Sequence, residues 1–285
     1  MQSYVHGSAL TPLLGQTIGD SLNRAAAEFS QRDALISCHQ NLRYTYSELL
    51  HHVNRAARAL LNIGVARGDR VGIWSPNTAE WMIIQFAAAK VGAILVNINP
   101  SYQLRELEYA LNQSGLTVLI SARKFRKSDY VGMLESLMPE LKQLRTGPVT
   151  ASRIPSLHHL VYLGSESSSG AMTWSDFIAR GDGVDDATLA ARERMLQFDD
   201  PINIQYTSGT TGSPKGATLS HHNILNNGFF VGEVLKYTEA DRICVPVPFY
   251  HCFGCVMANL AAVTHGAAVV IPAEAFDAEV AFVAE

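Results

Sequence analysis

The chain has 285 residues, 47% apolar and 17% charged, so a sizeable core in one large or two modest domains is expected and a disordered chain is excluded. A net charge of −4 argues against nucleic acid as the main partner, because that binding needs a basic face. The N-terminus carries neither a charged segment ahead of an apolar core nor the Arg-rich pattern of a transit peptide, which makes a cytoplasmic location the expectation.

From about residue 44 helical and strand patterns alternate. Leu49, Leu50, Val53, Ala57, Leu60 and Leu61 recur at helical spacing and predict a helix over 44–64 that stops at Gly64. "RVGIW" is predicted as a strand, 78–92 as a helix capped by Thr78 and ended by Gly92, and "AILVNIN" as a strand. A helix over 103–115 and a strand at "LTVLIS" follow. Lys90 interrupts one long apolar window, and His265 with Gly266 interrupts another. Both windows therefore read as buried helix, turn and buried strand, with no transmembrane segment. The rhythm predicts an α/β fold of stacked, mostly parallel β-sheets with flanking helices.

Residues 121–156 are less regular and include a helix-like "YVGMLESLMPEL". "LHHLVYLG" reads as a strand and "DATLAARERML" as a short surface helix. A boundary within 164–200 would divide the chain into a first αβ part, 1–200, and a second, 201–285, leaving open whether they share a sheet. In the second part "INIQY" is a strand, 207–219 a loop, and Ser220 the cap of a helix over 221–235. "RICVPVP" is then a strand, 252–266 a helix and "AAVVIP" a strand, and the chain stops within a helix-like "DAEVAFVAE", so its end reads as cut.

Cys38, Cys244, Cys252 and Cys255 sit in apolar settings and are expected to be buried free thiols, not a disulfide framework. The pairs His51-His52 and His158-His159 have no carboxylate at ligand spacing, so no metal site is expected in this chain, and His221-His222 are expected to meet solvent. The basic run Arg123 to Lys127 is expected to be a solvated face, with transient membrane contact as the alternative.

The segment 207–216, "TSGTTGSPKG", fails the Walker pattern on both sides of Lys215, since Pro214 stands where glycine is needed and Gly216 where a hydroxyl is needed. It is nonetheless built for polyphosphate. Gly209, Gly212 and Gly216 let backbone N–H groups approach an anion, and Thr207, Ser208, Thr210, Thr211 and Ser213 supply hydroxyl donors. Lys215 supplies a full positive charge behind Pro214.

The longer stretch "YTSGTTGSPKGATLSHHN" resembles the phosphate-loop signature of the adenylate-forming (AMP-binding) superfamily of acyl- and aryl-CoA synthetases, luciferases and peptide-synthetase adenylation domains. "YTYSELLHHVNRAARAL", "AAKVGAILVNINP" and "VPVPFYHCFGCV" resemble further segments in the family's order, from about residue 20 onward. "INIQYTSGTTGSPKGATLSHHN" is most similar to the medium-chain fatty acyl-CoA synthetase branch. The resemblance implies ATP-dependent activation of a fatty acid to acyl-AMP and then acyl-CoA, with ATP, Mg2+ and CoA taking part and small molecules as the partners. It implies that residues Thr207 to Gly216 wrap the β- and γ-phosphates and that Lys215 and His251 are catalytic, His251 lying beside the acyl carboxylate. Phe249, Tyr250, Phe253 and Gly254 would line the acyl pocket with His251, with core packing as the alternative for each. The basic run at 123–127 is also a candidate to meet CoA phosphates if it is not simply solvated. The family's Mg-binding Glu, ribose-binding Asp and catalytic Lys have no counterpart in these residues, so little or no adenylation by the chain alone is expected. An aryl-CoA ligase, an amino-acid adenylation domain and a truncated, non-catalytic nucleotide-binding module stay open as alternatives.

Overall fold

Thr17 opens the first helix of the structure, a computed structural model that describes residues 10–144, 148–207 and 214–283. Its hydroxyl accepts the Asp20 N–H while the Asp20 carboxylate accepts the Thr17 N–H, and α1 runs Ile18–Glu28. β1 (Asp33–Ser37) and β2 (Leu42–Thr45) then form a hairpin ahead of the first element expected from the sequence. Tyr44 and Thr45 belong to β2, and α2 (Tyr46–Asn62) starts on a second capping box made by Thr45 and Glu48. Its buried stripe is Leu49, Val53, Ala56, Ala57 and Leu60.

β3 (Arg70–Trp74), α3 (Ala79–Val91), β4 (Ile94–Asn97), α4 (Leu104–Ser114) and β5 (Val118–Ser121) follow as the sequence predicts. Thr78 caps α3, and Gly92 ends it at φ +73°, a left-handed conformation that costs glycine little. A small hairpin, β6 (Lys124–Phe125) and β7 (Ser128–Asp129), leads to α5 (Tyr130–Leu137), β8 (His159–Tyr162), β9 (Met172–Thr173), α6 (Trp174–Arg180) and α7 (Asp186–Glu193). The last part holds β10 (Pro201–Thr207), β11 (Lys215–Ser220), α8 (His221–Leu235) and β12 (Arg242–Cys244). After these, α9 (Cys252–Gly254), a π-helical stretch (Cys255–Leu260) and α10 (Ala261–His265) form one continuous helical run, ahead of β13 (Ala268–Ile271) and α11 (Ala278–Val283).

The larger sheet has the order β11-β10-β4-β3-β5-β8-β9, parallel throughout except for β11 at its edge. The smaller has the order β12-β13-β1-β2, with only β2 antiparallel. Between them lies α3, which touches β1 of one sheet and β3 and β4 of the other and buries twelve of its thirteen residues. A helix that is apolar all round needs such cover on both sides.

The parts before and after residue 200 share the larger sheet, because β10 pairs with β4 (Asn203 opposite Leu95) and extends a sheet begun before residue 100. One expectation changes here. Residues 215–219 are not loop: β11 pairs antiparallel with β10 from Thr207–Lys215 to Pro201–Ser220, and the edge strand is held by its neighbour's ladder, not by its own composition.

Lys90 is the charged exception within α3. Its side chain is 1% exposed, its ammonium pairs with Glu193 of α7 at 2.6 Å, and it donates to Asn23 Oδ1 of α1 at 2.6 Å. Burial lowers its pKa, with the Glu193 carboxylate opposing that shift. A paired charge thus ties three helices together. Among the described residues no helix is long and apolar enough to cross a membrane.

Candidate functional site

β4 and β10 run side by side with Asn97 opposite Gln205, so their C-terminal ends open on the same edge of the larger sheet. That edge is where open α/β sheets bind ligands. β10 ends at Thr207 and β11 begins at Lys215, and the Thr207 hydroxyl donates to the Lys215 carbonyl at 3.5 Å. Ser208, Gly209, Thr210, Thr211, Gly212 and Ser213 lie outside the described residues. Of their neighbours, Pro214 is half-buried and Thr207, Lys215 and Gly216 are exposed. Gly216 faces Tyr206 in the ladder, so it belongs to the hairpin stem.

The turn from Val247 to Cys255 is fixed by side-chain amides. Asn77 Oδ1 accepts the Phe249 N–H at 2.8 Å while Asn77 Nδ2 donates to the Val247 carbonyl at 2.8 Å. Asn97 Nδ2 donates to the Tyr250 carbonyl at 3.3 Å. His251 follows as an exposed N-cap whose Nδ1 accepts the Phe253 N–H at 3.1 Å. An imidazole that accepts at Nδ1 carries its proton on Nε2 when neutral, which leaves Nε2–H as a donor for an incoming oxygen.

The expected acyl lining divides. Phe249 is fully buried with its ring 5.5 Å from Trp81, which fits the core-packing alternative. Gly254 is also buried, and a Cβ there would stand 2.6 Å from the Pro248 carbonyl, so the close approach of two backbones explains the glycine. Tyr250 is half-buried, and His251 and Phe253 are exposed.

Three of the cysteines depart from expectation: Cys38, Cys244 and Cys252 are exposed, and Cys255 is buried. Burial pushes the Cys255 thiol up to about 12, with the neighbouring Cys252 adding to the shift. His221 was expected in solvent and is instead fully buried, its Nδ1 accepting the Ile18 N–H at 3.1 Å where α1 crosses the start of α8. His222 is half-buried with its ring 5.4 Å from Phe198. The solvated basic run agrees with expectation at Lys124, Arg126 and Lys127, whereas Arg123 packs 5.2 Å from the Tyr162 ring and pairs with Glu166 at 3.1 Å.

His221 carries a pH prediction. Burial lowers its pKa from 6.5 to about 4, with Asp200 and Asp20 opposing. The folded state then resists a proton that the unfolded chain accepts, so stability is full above pH 6.5 and falls as the pH drops towards about 4. The expected loss is up to about 3 kcal/mol. Urea midpoints for the chain and for His221→Gln, measured across that window, should converge at the acid end. Parallel curves would remove His221 as the cause.

Asn77, Asn97, Asn203, Gln205 and Gln85 were not singled out in the sequence, although "LVNIN" and "INIQY" show amides inside otherwise apolar strands. That pattern was the available signal, because a buried amide persists only where it is bonded.

Residues 22–285 match the family described as AMP-binding enzyme. The chain is 42% identical over 268 residues to YngI of Bacillus subtilis, covering 94% of this chain and 49% of that protein. It is 41% identical over 277 residues to the mitochondrial medium-chain acyl-CoA ligase ACSF2 of Danio rerio, covering 96% and 46%. The structure is similar to the anthranilate CoA ligase AuaEII in complex with anthranoyl-AMP, with a TM-score of 0.76 and 25% identity over 93% of this chain and 46% of that one. The chain spans about half the length of the curated relatives it matches. Because the matched region includes both sheets, the Thr207–Lys215 hairpin and the His251 turn, the chain belongs to the AMP-binding enzyme family.

Proposed function

We propose that the chain is the phosphate-holding part of a ligase that activates a fatty acid, of medium length, first to acyl-AMP and then to acyl-CoA. The supporting observation is that the strand leading into the segment 207–216 is bonded to the turn that carries His251, through Gln205 and Cys255 at 3.3 Å. In the first step a carboxylate oxygen attacks the α-phosphorus of ATP, a new acyl–O–P bond forms, and the bridging bond to the β-phosphate breaks. Negative charge grows on the leaving pyrophosphate. The donors of 207–216 and the Lys215 ammonium would stabilise it where it develops, and His251 Nε2–H would orient the attacking carboxylate. In the second step the CoA sulfur attacks the acyl carbon and AMP leaves. Tyr250 and Phe253 offer aromatic surface to the start of the acyl chain.

Among the described residues no group of three or more His, Cys, Asp or Glu side chains comes together. Mg2+ would arrive with the phosphates of ATP, as is usual for this ion.

The test is thioester formation by the intact protein, followed by mass spectrometry with ATP, CoA and a panel of acids. Medium-chain fatty acids should give acyl-CoA faster than acetate, palmitate, benzoate or amino acids. A thioester formed from benzoate or anthranilate alone would replace the fatty reading by an aryl one, and adenylation of an amino acid without CoA would replace both.

A further inference from the structure

We infer that Asn97, Gln205 and Cys255 form a positioning cluster that locks the His251 turn to the strand leading into the phosphate loop, so that the acyl carboxylate and the nucleotide phosphates share one frame. The inference rests on the acid-activation reading above.

Cys255 is the hub. Its Sγ accepts Asn97 Nδ2 at 3.4 Å and Gln205 Nε2 at 3.3 Å, one amide from each of two adjacent parallel strands. These amides face each other in the β4–β10 register, and Asn203 Nδ2 extends the row by donating to Asn97 Oδ1 at 3.0 Å. Asn97 also donates to the Tyr250 carbonyl, so a single side chain holds the turn on both sides of His251. From the opposite side Gln85 Nε2 donates to the Cys255 carbonyl at 2.8 Å, and Gln85 Oε1 accepts Asn259 Nδ2 at 2.9 Å. Cys255 is also where the π-helical stretch begins. A π-turn is poorer than the α-helix it interrupts and persists where its surroundings over-determine it.

A packing role alone does not call for this chemistry. Burying several primary amides is costly unless each is bonded, and apolar side chains of similar volume would fill the same space. What the amides add is direction: Asn97 and Gln205 fix defined atoms of the turn relative to β4 and β10, and Gln85 fixes the Cys255 carbonyl relative to α3. None of the three residues needs to touch a substrate. They act through His251 on one side and through the Thr207–Lys215 hairpin on the other, where a misplacement of about 1 Å can cost on the order of 100-fold in rate.

The test uses Asn97→Leu, Gln205→Leu, Cys255→Ala and Cys255→Ser in the intact protein. Acid-dependent pyrophosphate exchange should lose about 10- to 100-fold in kcat in the Leu and Ala variants, with KM for ATP and acid within about threefold and Tm little changed. Cys255→Ser, which restores an acceptor, should recover most of the loss. Wild-type kcat in the Leu variants, or rate losses that simply follow Tm, would overturn the cluster's positioning role. A second readout needs no activity. With Cys38, Cys244 and Cys252 replaced by Ser, iodoacetamide should alkylate Cys255 about tenfold faster in Gln205→Leu than in its parent, because the turn is no longer held. Unchanged alkylation would overturn the cluster itself. Absence of exchange in the wild-type protein would instead overturn the acid-activation reading on which the inference rests.

Discussion

Lys215→Ala is expected to lower acid-dependent pyrophosphate exchange of the intact protein by about 100- to 1,000-fold while leaving acid binding in place. Lys215 is exposed at the first position of β11, opposite Thr207, at the exit of the segment that carries three glycines and five hydroxyl side chains. Its contribution to the hairpin is made by its backbone, which accepts the Thr207 hydroxyl, so removing the side chain leaves the ladder intact. On the proposed mechanism, what is lost is a cation that would meet charge growing only as pyrophosphate departs. Such an interaction lowers kcat, and also raises KM for ATP to the extent that it holds the ground state. Lys215→Arg should recover part of the rate, since a forked guanidinium replaces a point charge at a different reach. Steady-state kinetics with varied ATP and varied acid separate the effects. Unchanged kcat and ATP dependence in Lys215→Ala would remove Lys215 from the phosphate site.

Lys90→Ala is expected to have the largest effect on stability, a loss of about 3–5 kcal/mol. The variant leaves Glu193, whose side chain is 18% exposed, without its cation, and it leaves Asn23 Oδ1 without the ammonium donor. It also empties space at the crossing of α1, α3 and α7. For a chain of this length the loss corresponds to a fall in Tm of about 10 °C. The double variant Lys90→Met, Glu193→Gln should regain most of it, because an unpaired buried charge costs more than no charge at all. Thermal unfolding of both variants decides the matter. A single variant within about 1 kcal/mol of the parent would show that the pair contributes little.

The units from β3 to β5 were legible because each carries its own signals. Apolar runs mark the parallel strands, Thr78 and Gly92 mark the ends of α3, and β3 pairs with both β4 and β5, the next two strands in the chain. β1 was not legible, because its parallel partner, β13, comes from the far end of the chain and no local pattern announces that pairing. The sheet shared across residue 200 was left open for the same reason: β10 joins β4, a strand more than 100 residues earlier, and no local pattern announces that pairing.

At the site, the composition of 207–216, with its glycines, hydroxyls and one lysine, suggests an anion site from the sequence alone, and 208–213 lie outside the described residues. The side on which a residue falls was harder. Phe249 and Phe253 are both aromatic and four positions apart, yet one packs on Trp81 and the other is exposed, with a turn and the start of a helix between them. His221 and His222 are adjacent, and helix geometry sends the first beneath α1 and leaves the second at the edge. Asn97 and Gln205, not singled out in the sequence, are the bonds between their strands and the His251 turn.

Exchange of labelled pyrophosphate into ATP by the intact wild-type protein, measured with and without a medium-chain fatty acid, tests the central claim most directly. Carboxylate activation at this site predicts label in ATP that depends on the acid and falls by at least about tenfold in Lys215→Ala. No exchange with any acid, or exchange that ignores both the acid and the lysine, would contradict it.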